Sequence, residues 1–431
     1  MKKFRLIDYI LPSVISMVIV GTYTNIDGLF IGNRAGDDGL AAINIAWPIV
    51  AFITSVGTGL GIGAAVVING LRGKNETFLA ERAKTSALWL LLAAGVLSGI
   101  LCLAAYSPLL GILGAEGDVK TYAENYSFVI SLGAIFQVAG AGTVVLLRNE
   151  GKTYFALIDT AIGLAVHVAL DFLTVKKYAL YGVAAATVVS QAIVAGLAVF
   201  RLMLLKKSAE NGEKGGKLRF AATILKNSIA PFGLNFVPSA VLLFTNYFAL
   251  KAGGTAAVGA YAVMSYAVYT YDYVFQGVCD GVQPVLSYYR GANDATEEKK
   301  TVYKAIITLI VLSVVCIALT PAMISFLPKI FAVSGGAEQM MKTGFIVYAF
   351  AYPLKAAVKF VCSYCYSVGK ISVSNVLTYL DPFLFTPACL ALLAGKGMNG
   401  IWAALPLSQL LVLFAAGIAF VVVRRKNGRN A

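Results

Sequence analysis

Arg72-Gly73-Lys74-Asn75 returns as Arg290-Gly291-Ala292-Asn293, 218 positions later (72 to 290). The same shift pairs Gly59 with Gly277, Gly63 with Gly281, and Gly151-Lys152 with Gly369-Lys370. It also pairs Gly182 with Gly400, Ala185-Ala186 with Ala403-Ala404, and Ser190-Gln191 with Ser408-Gln409. One ungapped register running from the first fifth of the chain to its end marks a duplication. What is duplicated is apolar. Of 431 residues 59% are hydrophobic and 13% charged, and mean hydropathy is +0.78, whereas soluble domains run near half apolar and a quarter charged. Reading apolar runs between charged or Gly/Pro-rich breaks gives twelve spans, at 8–33, 41–71, 85–106, 119–147, 153–175, 179–205, 222–252, 256–288, 301–327, 338–366, 372–394 and 398–423. An even number per copy makes both copies enter the membrane in the same direction. The expected fold is an all-α polytopic membrane protein of two six-helix lobes, related by a pseudo-two-fold along the membrane normal. The lobes are 1–205 and 222–431, joined by a cytoplasmic linker at 206–221.

The charges sort by side. The 35 Lys and Arg exceed the 21 Asp and Glu by 14. Most lie in the tails, the linker and the loops on the N-terminal side, among them Arg72, Lys74, Arg82, Lys84, Lys206, Lys207, Lys214, Lys299, Lys300 and Arg424. The opposite loops hold only Arg34, Lys120, Lys176, Lys177, Lys251, Lys329, Lys342 and Lys396. This asymmetry places both termini in the cytoplasm, in a multi-pass protein of the plasma membrane with anionic lipids as partners. No soluble basic module exists to bind nucleic acid. The run after Met1-Lys2-Lys3-Phe4-Arg5 continues past Asn25 and Asp27 with no small-x-small cleavage site, so it reads as a retained span. The six cysteines sit in apolar segments and form no disulfide framework.

Enzyme signatures are missing: no His-Glu-x-x-His, Gly-x-Ser-x-Gly or phosphate loop occurs, and His167 is the single histidine. The glycines from Gly57 to Gly63 lie inside a span and read as small-residue helix packing. Cys362 and Cys365 read as small apolar filler. No enzyme and no cofactor is expected.

Ionisable residues inside spans carry the information, since each costs about 2.5 to 3.5 kcal/mol at mid-bilayer unless it faces protein or water. Asp27 and Asp171 fall at similar depth in two outward-running spans. His167 lies one turn from Asp171, and Tyr23 one turn from Asp27. Two carboxylates sharing a site cannot both stay ionised cheaply, so the group suits uptake and release of a cation. A hydrogen-bonded pair that only locks the two helices is the alternative. In the second copy, Asp272 and Asp280 are the expected partners of Lys355 and Lys359, with Asp381 a third candidate. These groups either pair internally or line a cavity. Tyr261, Tyr266, Tyr269, Tyr271 and Tyr273 either line a cavity or sit at the bilayer interface. At the shift of 218, Asp27 corresponds to Thr245 and Asp171 to Cys389, so the two lobes differ chemically.

Asn25-Ile-Asp27-Gly-Leu-Phe-Ile-Gly32 followed by Gly39-Leu-Ala-Ala42 resembles the first-span pattern of the multidrug and toxic compound extrusion (MATE) family. Leu170-Asp171 through Tyr181-Gly182-Val183-Ala184-Ala185-Ala186-Thr187 resembles its fifth-to-sixth-span segment. Gln283-Pro284 with Arg290-Gly291-Ala292 resembles its eighth span. The resemblance covers essentially the whole chain. It implies a secondary exporter of small molecules, usually organic cations, driven by H+ or Na+. Its site residues fall on Tyr23, Asp27, Asp171 and Thr187, and Asn25, in the same first-span motif, is a further candidate. At His167 this chain departs from the family's usual Asn, and a titrating imidazole favours H+ over Na+. Lys355 and Lys359 are unlike a purely cationic cavity and motivate the alternative, export or flipping of lipid-linked or anionic metabolites. A monomer working by alternating access is expected.

Overall fold

The computed structural model describes residues 3–205, 219–331, 333 and 335–429. The linker expected at 206–221 therefore lies, apart from 219–221, outside the described residues. Those residues form helices and turns with no strand among them. The helices are α1 Ile7–Gly73, α2 Thr77–Ile112, α3 Gly117–Leu132, α4 Ala134–Asn149, α5 Thr153–Leu204, α6 Ala221–Gly291, α7 Ala295–Ile330, α8 Gly335–Ser367, α9 Ile371–Leu380, α10 Thr386–Leu393 and α11 Gly397–Arg429. A π-helical turn, Asp381–Phe385, joins α9 to α10. By length and composition, eight described stretches can each cross a bilayer, and α3 with α4, bent by 60°, make a ninth. Two of the eight are 52 residues long, more than twice the roughly 20 residues one crossing needs. Counted by arms on either side of their breaks, the helices are the twelve that the apolar runs mark out.

The breaks need only one residue each, which is why helices replace several of the expected loops. Gly36 (φ 60°, ψ −148°), Ala179 (φ 46°, ψ −125°), Gly254 (φ 66°, ψ −158°) and Gly397 (φ 63°, ψ −151°) share nearly one backbone conformation. The shift of 218 pairs Gly36 with Gly254 and Ala179 with Gly397, so the duplication extends to hinges that its sequence signature does not include. Two further positive-φ pairs obey it, Asn75 (64°) with Asn293 (55°) and Gly151 (77°) with Gly369 (83°). Ala179 is the exception in kind, because this region of backbone space is essentially reserved for glycine. Ala179→Gly should relieve strain of about 1–3 kcal/mol, offset in part by the greater flexibility of glycine in the unfolded chain. The expected outcome is a rise of about 2 °C in the unfolding midpoint of the purified protein; a fall would show the hinge to be unstrained.

Contacts gather the chain into two compact units, Met1–Phe236 with Gly281–Glu298, and Val237–Asp280 with Lys299–Ala431. Within the first, close helix approaches come in reciprocal pairs. A Cβ on Gly63 would collide with Ser228, and one on Gly281 would sit 2.7 Å from Ile10 Cα; Ile10 and Ser228 are themselves 218 apart. Gly73 abuts Tyr288, and Gly291 abuts Gly70, again a pair of mates. Such exchange of partners is what a two-fold relation between repeats produces. Gly57 and Gly61 meet α4 instead: added Cβ atoms would lie 2.5 Å from the Val138 carbonyl oxygen and 2.8 Å from that of Gly142. The glycine-rich stretch is therefore packing surface.

Beside a buried apolar core, much of the outer surface is apolar as well. On α2, Trp89, Leu92, Val96, Leu97, Ile100 and Leu101 are exposed, and on α7 Ile310, Val311 and Val314. Broad apolar faces of this kind belong against lipid. At the basic end of the first unit, Arg72 bonds Glu150 at 2.7 Å and Glu81 at 3.1 Å, and Lys84 reaches Glu150 at 3.1 Å. Burial works to raise the Glu150 carboxyl, but Arg72 and then Lys84 outweigh it and hold it below its ordinary 4.5. Its stabilisation is present above that value and is lost as pH falls through the lower folded one.

Candidate functional site

The first arm of α1 carries Tyr23 and Asp27 one turn apart, and the first arm of α5 carries His167 and Asp171 at the same spacing. Helix α3 contributes Tyr126, and the second arm of α5 contributes Thr187. These six side chains, all buried, meet. His167 Nε2 lies 2.7 Å from Asp27 Oδ1 and 3.0 Å from Asp171 Oδ2. The Tyr126 hydroxyl donates to Asp27 Oδ2 at 3.3 Å, and Thr187, whose hydroxyl donates to the Val183 carbonyl at 3.2 Å, lies beside the Tyr126 phenol. The Tyr23 ring stands edge-on to the imidazole, centroids 4.8 Å apart. Gly163 makes room for it: a Cβ there would lie 2.7 Å from the Tyr23 hydroxyl. Of the residues expected at this site, Asn25 has a side chain outside the described ones.

The chemistry of the cluster follows from counting charges and protons. Asp27 and Asp171 are 3% and 0% exposed and His167 is 0% exposed, so an unbalanced charge here would cost several kcal/mol. Two carboxylates and one imidazolium leave one negative charge uncompensated. A single nitrogen faces both acids and carries at most one proton. Asp171 Oδ1 and His167 Nδ1 have no hydrogen-bond partner among the described residues. One ligand atom from each of the three residues lies within 4.8 Å of the others. Such an arrangement can take one more unit of positive charge.

The second unit holds the other expected residues in two separate networks. Asp272 on α6 takes Lys355 at 3.1 Å and Lys359 at 2.8 Å, both from α8. Lys359 also donates to Gln276 Oε1 at 3.0 Å, and Gln276 Nε2 donates to Asp280 Oδ1 at 2.7 Å. Asp280 thus meets Lys359 through an amide. Asp381, the third candidate partner of the lysines, is placed elsewhere: at the π-turn it accepts from Thr386 at 2.9 Å and Gln409 at 2.7 Å. Four of the tyrosines make contacts within this unit. Tyr261 lies 5.9 Å from the Trp402 ring, Tyr271 is edge-on to Tyr352 at 5.0 Å, and Tyr266 stacks on Phe331 at 5.3 Å. Tyr269 donates to the Pro238 carbonyl at 3.2 Å.

Sequence reasoning passed over Tyr126 and Gln276. A polar stripe at 272, 276 and 280, i, i+4 and i+8 on one helix, was the available signal for Gln276. Tyr126 gave none, lying among ordinary polar residues of α3.

A duplicated helical membrane protein with a buried, charge-deficient carboxylate–imidazole site has the architecture of a transporter. The MatE family profile matches residues 12–173 and 232–380, and the chain belongs to that family. Multidrug export protein MepA of Staphylococcus aureus is 24% identical over 319 residues, covering 73% of this chain and 70% of the relative. Its counterpart in Staphylococcus saprophyticus is 23% identical over 320 residues, with the same coverage. The outward-facing conformation of a multidrug resistance MATE family transporter of the MOP superfamily matches with TM-score 0.87 at 18% identity, over 98% of this chain and 95% of that one. A MOP superfamily transporter from Pyrococcus furiosus, for which reverse polarity of the binding pocket suggests a different function, matches with TM-score 0.89 at 19% identity and the same coverage. These likenesses carry the twelve-helix fold.

Proposed function

We propose that the chain exports amphipathic small molecules by alternating access, driven by inward movement of a cation, with H+ favoured over Na+. The observation that carries this is the Asp27–His167–Asp171 cluster, one positive charge short of neutrality in a dry interior. A proton supplies that charge on one side of the membrane; a cationic cargo near the same carboxylates supplies it in the proton's place. Low dielectric makes the two exclusive, which is what exchange requires. His167 favours the proton, because an imidazolium in the pocket repels Na+. In this reading residues 1–205 and 222–431 are two six-helix lobes of a plasma-membrane monomer. Both termini are cytoplasmic, lipids are its neighbours, it needs no cofactor, and it acts as a carrier and not an enzyme. MepA, exporting many drugs, supports the same cargo class here.

His167→Asn tests the ion. In proteoliposomes with pH and Na+ gradients imposed separately, it should shift the pH dependence of export or move ion preference toward Na+. If the variant keeps the wild-type pH profile and a Na+ gradient alone drives the wild type, proton coupling fails. A second reading, export or flipping of anionic or lipid-linked metabolites, is favoured by Lys355 and Lys359 outnumbering the one carboxylate, Asp272, that they share. Transport assays with cationic dyes set against anionic metabolites separate the two.

A further inference from the structure

Two turns before His167 on the same arm of α5 lies another buried carboxylate, Asp159, with no exposed surface. Its Oδ1 accepts a hydrogen bond from Arg201 Nε at 3.0 Å, and its Oδ2 has no hydrogen-bond partner among the described residues. Arg201 comes from the second arm of α5, and its side chain is 26% exposed. Its guanidinium lies 4.4 Å from the Phe155 ring centroid, and Lys152 reaches the same ring at 5.9 Å. This is the basic end of the helix.

Between Asp159 and the cluster runs a polar strip. Tyr23 spans its upper part, with its ring against His167 and its hydroxyl donating to the Thr160 carbonyl at 3.5 Å. Gly163 leaves the helix surface open beside that hydroxyl, where a Cβ would sit 2.7 Å away. Asp159 follows one turn further, about 12 Å along the axis from His167 at 1.5 Å per residue. The charged group facing it is Arg201 from the second arm; Lys152 stands at the start of its own arm, and Tyr23 from α1 stands beside Gly163, one turn away. A buried carboxylate held by one N–H is costly when ionised, and when protonated its O–H lacks an acceptor. The free Oδ2 is a place where a proton can bind, which is what a transfer station needs.

We propose that Asp159 relays protons between the Asp27–His167–Asp171 cluster and the basic face of the membrane, resting on the proton-coupled reading above. A proton leaving the cluster passes along the Tyr23 strip and binds Asp159 Oδ2. That neutralises the carboxylate and loosens its pair with Arg201. Loss of the proton to water beside Arg201 restores the carboxylate and the pair, so the charge balance of the site is conserved.

The test uses the full chain in proteoliposomes with ethidium as probe and a lumenal pH dye. Asp159→Asn should retain ethidium counterflow, which needs no net proton transfer, and lose ethidium-linked proton movement about a hundredfold. Arg201→Gln, which keeps the carboxylate, should slow proton movement by at most about tenfold. Proton movement at the wild-type rate in Asp159→Asn overturns the proposal. So does equal loss of counterflow and proton movement in both variants, the mark of a structural staple. If the single variant does not fold, Asp159→Asn with Arg201→Gln removes the unpaired charge, and wild-type proton movement there overturns the relay equally. A wild type that moves no protons overturns the coupling reading itself and the relay with it, a result distinct from one in which both wild type and Asp159→Asn move them.

Discussion

Asp27→Asn is expected to abolish gradient-driven export while the protein still inserts and folds. The substitution is isosteric. An amide oxygen can accept the Nε2–H of His167 or the hydroxyl of Tyr126 much as the carboxylate does, so the packing of α1 against α5 and α3 survives. What is removed is the second negative charge. With Asp171 alone facing His167, an imidazolium and one carboxylate already balance, and the pocket no longer calls for a further proton or cation. Both the driving ion and a cationic cargo lose their counter-charge, and export should fall by about a hundredfold or more, the scale of losing a positioned proton carrier. Dye efflux from proteoliposomes under a pH gradient, read beside size-exclusion profile and unfolding midpoint, measures both halves of the expectation. Wild-type efflux would refute the coupling site. Loss of folding would instead mean that the pair's main work is to lock two helices together.

The sequence made some of this legible and hid the rest, for physical reasons. The duplication was visible because no insertion separates Arg72 from Ser190 or Arg290 from Ser408, and the mates at Asn75/Asn293 and Gly151/Gly369 keep the same backbone conformations. Asp27, Asp171 and His167 stood out because an ionisable group in an apolar run has few bland explanations. The short loops expected around residues 34–40 were not loops, since one residue at Gly36 suffices to turn the chain. Tyr126 was hidden because tyrosine is common in this chain and its hydroxyl tells nothing until a carboxylate is found beside it. Asp159 was hidden by its position, close enough to a span end for charge to look cheap, although the fold buries it completely. Asp381 was misjudged because sequence distance cannot tell which of three acids a lysine pair will reach.

Breaking the Lys359–Asp272 pair carries the largest expected effect on stability. Lys359 and Asp272 are 6% and 5% exposed, and the ammonium sits between Asp272 Oδ2 at 2.8 Å and Gln276 Oε1 at 3.0 Å. Removing it leaves Asp272 with only the half-exposed Lys355 and frees the amide that ties Asp280 into the network. Breaking one partner of a buried pair costs about 3–5 kcal/mol, mostly the desolvation of the charge left behind. Asp272→Asn should cost at least as much, because it leaves two lysines on adjacent turns of α8 without a counter-charge, whereas Lys359→Met leaves Asp272 paired with Lys355 at 3.1 Å. The double variant removes the attraction and leaves only the partly exposed Lys355 without its acid, so it should be more stable than the sum of the singles by about 1–3 kcal/mol. A double-mutant cycle on thermal or denaturant unfolding in detergent measures the coupling directly. Simple additivity would mean that the pair contributes little to holding this unit together. The lysines would then be kept for charge they present to something other than Asp272, and the reading in which the cargo is anionic would gain the support that the stability argument lost.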